Sequence, residues 1–371
     1  MALPRRRATA GVGVLVGMAM SASVAAQDEL GSPARPEVVG VRVAAGELIL
    51  VRDPEEAGPV ALSGGEVVFV RDNGGARPTV LSYDPRTGDE WTLVQLPPRN
   101  DQRTDVVDVL PFINGEAVAI VATYQDADGD VSGHELLLHD LARDVTDVLS
   151  RREHDEARPS VAALDWSLRN EVLVYAYDER EPARWQGEIV RVGVFPRREE
   201  SVTDRFDVTG WPTLAPGGRW LVSTTGPDAT EAIPYRVWLV DLETGERRRL
   251  FERFGSRVAT FEGRGVMTPT PAVWTAQEDA VVFADTDHAA DTSPLLMRVP
   301  LSGLGIEERS LHTPGDALDV VALEGEAFAV LVRRLGDGAH VVEVVTFADD
   351  EARVVYVDTA GRVRLVGWWP G

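Results

Sequence analysis

The run Val237-Trp238-Leu239-Val240-Asp241, then Leu242-Glu243-Thr244-Gly245-Glu246, then Arg247 to Phe251 reads as strand, tight turn and strand. Branched and aromatic residues suit a pleated, half-buried backbone, and the Asp and Gly between them supply turn geometry. The same grammar returns at Leu81-Ser82-Tyr83-Asp84-Pro85-Arg86-Thr87-Gly88 before Trp91, and at Leu136-Leu137-Leu138-His139-Asp140 before Val145. It returns again at Val355-Tyr356-Val357-Asp358-Thr359-Ala360-Gly361 before Val363 and Leu365. Each is a hairpin signal.

A second element precedes each hairpin: a turn residue, a polar residue, then an apolar run. The copies are Gly65-Glu66 before Val67-Val68-Phe69, Gly115-Glu116 before Ala117 to Ile120, and Asn170-Glu171 before Val172 to Tyr175. Gly218-Arg219 before Trp220-Leu221-Val222, Glu278-Asp279 before Ala280 to Phe283, and Gly325-Glu326 before Ala327 to Val330 complete the set. Their spacings are 50, 55, 48, 60 and 47 residues, a mean period of 52. Four strands per period is the signature of a β-propeller blade, whose faces are buried only by stacking against neighbours. The expected fold is all-β, a propeller of six four-stranded blades over 61–371, with seven blades as the alternative. A β-sandwich pair is the competing all-β arrangement. Residues 27–60 form an N-terminal segment whose strand Glu47-Leu48-Ile49-Leu50-Val51 is expected to close the ring by pairing near Arg362 to Trp368.

Residues 1–26 read as a signal peptide. Arg5-Arg6-Arg7 form a positive start, Ala10 to Met20 a short apolar core, and Ser21 to Ala26 a small-residue cleavage region. This predicts a periplasmic or secreted protein with no membrane insertion after cleavage. The chain holds no cysteine, which excludes disulfides, thiolate metal sites and a lipid-anchored cysteine. All 37 basic residues are arginine, and the formal charge of −23 repels phosphate backbones, so nucleic acid is not an expected partner.

The repeat resembles the Trp-Ser-Pro-Asp-Gly-Lys blade of TolB-type propellers, which are related to the propellers of prolyl-oligopeptidase-like enzymes. The motif stands here as Asp165-Trp166-Ser167-Leu168-Arg169-Asn170-Glu171, Leu214-Ala215-Pro216-Gly217-Gly218-Arg219 and Val273-Trp274-Thr275-Ala276-Gln277-Glu278. No copy is complete, and residues 27–60 are too few for the α/β domain that precedes the propeller in the bacterial translocation protein. The resemblance implies a periplasmic propeller that binds proteins or peptides, so a protein or peptide partner is expected.

No Gly-x-Ser-x-Gly elbow, P-loop or dinucleotide fingerprint is present. Two acidic loops are the strongest chemical candidates. Asp126-Ala127-Asp128-Gly129-Asp130 alternates carboxylates in a turn, the pattern that converges on a hard cation such as Ca2+. Asp285-Thr286-Asp287-His288-Ala289-Ala290-Asp291 adds an imidazole, which suits a divalent metal or acid–base work. The bland reading of each is a solvated hairpin loop. Among aromatics, Arg184-Trp185 and Trp368-Trp369 lie in or beside loops and are candidates for a binding surface. The leading functional expectation is a non-catalytic scaffold in the cell envelope with no catalytic residues or required cofactor. The rival is a propeller-face enzyme, a metal-assisted lyase or glycosidase, using the acidic loops.

Overall fold

A computed structural model of the chain describes residues 36–370, leaving out 44, 53–58, 100–101, 113–114, 154–159, 168–171, 182–183, 194–197, 203–205 and 208–212. It also leaves out 226–234, 254–259, 262–263, 266–269, 287–292 and 349–351. Side chains are described outside 152–189 and a few positions flanking those segments. The leader, 1–26, lies outside the described residues. Among the described residues there is no helix, so no helix is long and apolar enough to cross a membrane.

The chain begins with a hairpin, β1 (Glu37–Val43) and β2 (Gly46–Arg52), and then lays down six sheets in succession. The first holds β3 (Val60–Ser63), β4 (Glu66–Arg71), β5 (Thr79–Tyr83) and β6 (Glu90–Gln95). The second holds β7 (Arg103–Pro111), β8 (Ala117–Gln125), β9 (Val131–Asp140) and β10 (Val145–Glu153). The third runs β11 (Ser160–Ser167), β12 (Val172–Glu181), β13 (Arg184–Gly193) and β14 (Arg198–Ser201), with β15 (Phe206–Asp207) also pairing β13. The fourth holds β16 (Thr213–Leu214), β17 (Trp220–Thr225), β18 (Tyr235–Asp241) and β19 (Arg247–Arg253). A small hairpin, β20 (Thr260–Phe261) and β21 (Arg264–Gly265), precedes the fifth sheet of β22 (Val273–Trp274), β23 (Ala280–Asp285), β24 (Leu295–Pro300) and β25 (Glu307–Ser310). The sixth holds β26 (Gly315–Ala322), β27 (Ala327–Arg334), β28 (His340–Thr346) and β29 (Ala352–Asp358). All pairs are antiparallel, and within the six sheets all but β13–β15 join strands adjacent in sequence. The six apolar runs that set the repeat period are the second strands of these six sheets, β4, β8, β12, β17, β23 and β27.

Where their side chains are described, those second strands are covered on both faces. Val67 to Val70, Ala117 to Ala122 and Ala280 to Asp285 are buried without alternation, which is why the sequence shows apolar runs there. Successive sheets pack face to face. Val68, Val80 and Val94 of the first meet Val109, Ile120 and Tyr124 of the second, and Phe283 and Met297 of the fifth meet Val237 and Leu239 of the fourth. Each such side chain, when fully buried, contributes about 1.5–3 kcal/mol of transfer free energy.

The last strand, β30 (Val363–Pro370), leaves the sixth sheet. The sequence pattern placed Val363 and Leu365 in a hairpin with 355–358. Instead β30 pairs with β2, from Gly46↔Pro370 to Arg52↔Val363, giving a three-stranded terminal sheet in the order β1-β2-β30. The hairpin reading fails because the turn after Asp358 redirects the chain. Asp358 accepts the Arg362 N–H at 3.0 Å, and the Val363 backbone is held by His340 Nδ1 on β28. β1 was not read as a strand, since Gly40 interrupts its branched residues. One face of the terminal sheet (Leu48, Leu50, Val363, Leu365) packs on Ala329, Leu331 and Val342 of the sixth sheet. Its other face (Ile49, Val51, Val366) packs on Val60, Leu62 and Val67 of the first. The strand β30 lies beside both β26 and β3, the first strands of those two sheets.

Candidate functional site

Aspartates at strand ends do much of the turn-building, which accounts for part of the acidity. Asp84 accepts the Arg86 N–H at 2.9 Å, Asp241 the Glu243 N–H at 2.9 Å, and Asp140 the N–H groups of Ala142 and Arg143 at 2.9 Å each. These are Asx turns, in which a short carboxylate substitutes for a backbone acceptor.

The loop 126–130 joins β8 to β9 and follows the same rule. Asp126 Oδ1 accepts the N–H groups of Asp128 and Asp130, both at 3.0 Å, while Gly129 donates to the Asp126 carbonyl at 3.1 Å. Asp128 and Asp130 are exposed. The carboxylate that would lead a cation site is therefore engaged by its own backbone. Among the described residues, no three His, Asp or Glu side chains come together to hold a metal ion.

In the second acidic loop, Asp287 and Asp291, with His288, lie outside the described residues. Asp285 closes β23, is only 7% exposed, and ion-pairs with Arg253 of the fourth sheet at 3.2 Å. The neighbouring Thr286 hydroxyl accepts the Ala317 N–H of β26 at 3.0 Å. Both side chains therefore tie one sheet to the next. An equivalent tie joins the first two sheets, where Asn73 takes the Val106 N–H at 2.7 Å and returns a bond to the Val106 carbonyl at 3.1 Å.

Trp368 and Trp369 are half-buried on β30 and face opposite ways, as adjacent strand residues must. The Trp368 ring lies over Gly46, where a Cβ would sit 2.5 Å from it, and joins the cluster on the sixth-sheet side. Trp369 turns to the first sheet. Arg86 stacks on its ring at 4.0 Å, and Gly65 approaches so closely that a Cβ would lie 2.8 Å away. The pair thus wedges the terminal sheet between its neighbours. Arg184 and Trp185 occupy the turn end of the β12–β13 hairpin, opposite Glu181 and Arg180, and their side chains lie outside the described ones. Of the strand tryptophans, Trp274 is buried and bonds the Thr213 carbonyl at 3.0 Å, while Trp238 carries Arg247 over its ring at 4.6 Å.

Two groupings escaped the sequence reading. Glu135 on β9 is buried and receives the Tyr124 hydroxyl at 2.7 Å, with Arg99 at 3.1 Å and Arg151 at 2.5 Å on its other oxygen. Arg99 also lies over the Tyr124 ring at 4.2 Å. Burial first, and then the bond to Glu135, pushes the Tyr124 phenol far above its ordinary value, so it serves as a fixed donor. These residues are scattered over 99–151, and only the paired strands bring them together.

The second grouping had a legible signal. Asp105-Val106-Val107-Asp108-Val109 on β7 repeats as Asp316-Ala317-Leu318-Asp319-Val320 on β26. Both strands carry a bulge between the two aspartates, at Val106/Asp108 and Ala317/Asp319. The first aspartate of each takes a guanidinium from its own sheet, Arg103 at 3.3 Å and Arg333 at 2.7 Å. The second bonds the next backbone N–H, Val109 or Val320, at 2.9 Å. For Asp319, burial is the dominant influence and raises its carboxyl to about 6, against the opposing pull of that backbone bond and of Arg364 on β30.

The succession of four-stranded antiparallel sheets has counterparts among solved structures. An oligogalacturonate lyase in complex with manganese superposes with a TM-score of 0.60 at 12% identity, over 86% of this chain and 84% of that one. The β-propeller domain of the trilobed protease from Pyrococcus furiosus matches with a TM-score of 0.51 at 13% identity, over 87% of this chain and 97% of that domain. This chain is a β-propeller. TolB from Acinetobacter baumannii is also similar, at 13% identity and a TM-score of 0.49 over 83% of this chain and 67% of that one; the fold assignment rests on the other two. No family model and no curated protein matches the sequence. The TolB-like reading of the repeat stands at the level of fold. Propellers of this kind occur in a lyase and a protease alike, so the shared architecture carries no activity across.

Proposed function

We propose that this propeller is an exported, non-catalytic scaffold of the cell envelope, periplasmic or secreted, that binds a protein or peptide partner. In this reading it is a closed ring of seven blades rather than six: six from consecutive strands, and a seventh, three-stranded, from the two chain ends. The packing of the terminal sheet on both the first and the sixth sheets supports closure.

The observation that carries the scaffold reading is where the acidic-loop carboxylates are spent. Asp126 caps two backbone N–H groups, and Asp285 is buried against Arg253. Of the six carboxylates that the sequence offers for catalysis or Ca2+ (Asp126, Asp128, Asp130, Asp285, Asp287 and Asp291), these two hold the fold together. The net charge of −23 favours basic partners and disfavours nucleic acid.

The test is affinity capture by the mature protein from an envelope extract at low and moderate salt, followed by titration of each captured protein in purified form. A purified partner whose binding weakens with salt is the expected result. Turnover of peptides, glycans or esters that is lost in Asp126→Ala or Asp287→Ala would overturn it in favour of a face-borne enzyme.

A further inference from the structure

Asp319 stands at the seam where the sixth sheet meets the terminal sheet. Its register partner is Leu331, and Leu331 with the next inward residue, Val321, belongs to the cluster containing Leu48, Leu50, Val363 and Leu365. The carboxylate therefore lies on the face of β26 that turns toward β30. Its Oδ1 accepts the Val320 N–H, and among the described residues no other hydrogen bond is made by its side chain.

The charged groups around this seam are few and mostly committed. From β30, Arg364 acts on Asp319, while Arg362 leads into that strand beside Asp358. From β26 and β27, Asp316 and Arg333 pair with each other. From β28, His340 Nδ1 is 2.9 Å from the Val363 carbonyl and 3.2 Å from its N–H. At the outer end, Arg52 of β2 reaches Tyr356 and Asp358 of β29. An ionised Asp319 is thus part-buried beside apolar side chains, with one backbone donor and one neighbouring guanidinium to offset its partial desolvation.

We propose that Asp319 makes the seam between the sixth and terminal sheets respond to pH: the neutral carboxyl lets β26 and β30 pack tightly, and the ionised form weakens the hold on the chain ends. The sign follows from linkage. A folded carboxyl at about 6, against 3.8 in the ordinary state, keeps a proton that the unfolded chain releases. Its contribution to stability is full below pH 3.8 and is lost as pH rises through 6. His340 works the other way, since burial lowers its imidazole and acid costs stability. The two groups must therefore be separated by substitution.

The experiment compares the full chain with its Asp319→Asn variant, which keeps the Val320 acceptor and removes the charge. Unfolding midpoints and hydrogen exchange of 363–370 are followed from pH 4.5 to 8. His340 and all other titrating groups cancel in the difference between the two proteins. At pH 7.5 the folding equilibrium of the variant is expected to be roughly ten- to a hundredfold more favourable, at one decade per pH unit of displacement. Its β30 amides should exchange more slowly, and both differences should shrink toward pH 4.5. A difference that does not change with pH, or a variant less stable at both ends, overturns the proposal. Should the variant not fold, His340→Asn with Asp319 intact decides: its exchange in β30, corrected for intrinsic rate, must accelerate relative to β23 between pH 5 and 7, and equal behaviour of the two strands refutes it.

Discussion

The fifth sheet and the terminal sheet solve the same packing problem with opposite resources. In the fifth, β22 to β25 follow one another, every residue of β23 is buried, and the outer strand is Glu307-Glu308-Arg309-Ser310, too polar to recruit another strand. The terminal sheet draws β1 and β2 from one end of the chain and β30 from the other, and it has three strands instead of four. Its outer strand is Glu37-Val38-Val39-Gly40-Val41-Arg42-Val43. The adjacent β29 leaves Val354 at 48% and Val357 at 42% exposed. The fifth sheet, built from local hairpins, ties to its neighbours through Asp285, Thr286 and Trp274. A sheet assembled from distant ends adds specific fasteners: Trp368 and Trp369 on opposite faces, Arg52 bound to Tyr356 across 304 positions, and His340 on Val363. Trp368 and Trp369, read in sequence as a candidate binding surface, also pack the terminal sheet against its neighbours.

The comparison breaks most visibly in the core of β2. Leu50→Ala removes a fully buried side chain, with an expected loss of about 2–5 kcal/mol in urea unfolding. The same loss is expected from Leu296→Ala in the fifth sheet. The two should differ in hydrogen exchange: Leu50→Ala frees β30 first, whereas Leu296→Ala leaves β30 protected until global unfolding. Identical exchange patterns would erase the distinction between the two kinds of sheet.

A smaller effect isolates the Trp369 wedge. Gly65 has φ of +93° and a Trp369 ring at its back, whereas Gly64 has φ of +57° and nothing within 4 Å of an added Cβ. Gly64→Ala should cost about 1 kcal/mol of backbone strain. Gly65→Ala should cost more, and removing the ring with Trp369→Ala should abolish the excess, as read in a double-mutant cycle of unfolding midpoints.

In the second sheet, Tyr124→Phe removes the hydroxyl from buried Glu135 and should cost about 1–3 kcal/mol, the price of an unmade bond to a charged acceptor. Removing the exposed clasp with Arg52→Met should produce the smallest shift, and one that high salt diminishes. Acidification below pH 6.5 should also lower the urea midpoint through His139 and His340, whose imidazoles burial holds below the ordinary value. Replacing either histidine with Asn should flatten that limb.

Much of the propeller is legible because stacking blades demands apolar second strands. Val67 to Val70 and Ala280 to Phe283 announce themselves, and Asp84, Asp140 and Asp241 mark the turns that follow. The pairing of 47–51 with the C-terminal strand is readable for the same reason, since Leu48 to Val51 form an apolar run buried on both faces. The fate of Val363 was not readable, because Asp358 to Gly361 is as good a hairpin turn as Asp241 to Gly245. The bond from the Arg362 N–H to Asp358 and the capture of Val363 by His340 separate them. Glu135 was invisible because its partners are 11 to 36 positions away. The environment of Asp319 was hidden because a bulge, which has no strong sequence mark, decides its face.

The central claim is that the two chain ends share one sheet in the stated register. A chain without cysteine allows a direct test. Val51 and Arg364 are register partners, so the Val51→Cys/Arg364→Cys variant places two thiols on facing strands of the terminal sheet. Under mild oxidation it should lose two hydrogens by mass and unfold only at higher denaturant, while Val51→Cys/Leu365→Cys, displaced by one residue to the opposite face, should keep free thiols. Crosslinking of the displaced pair with none in the matched pair would contradict the account.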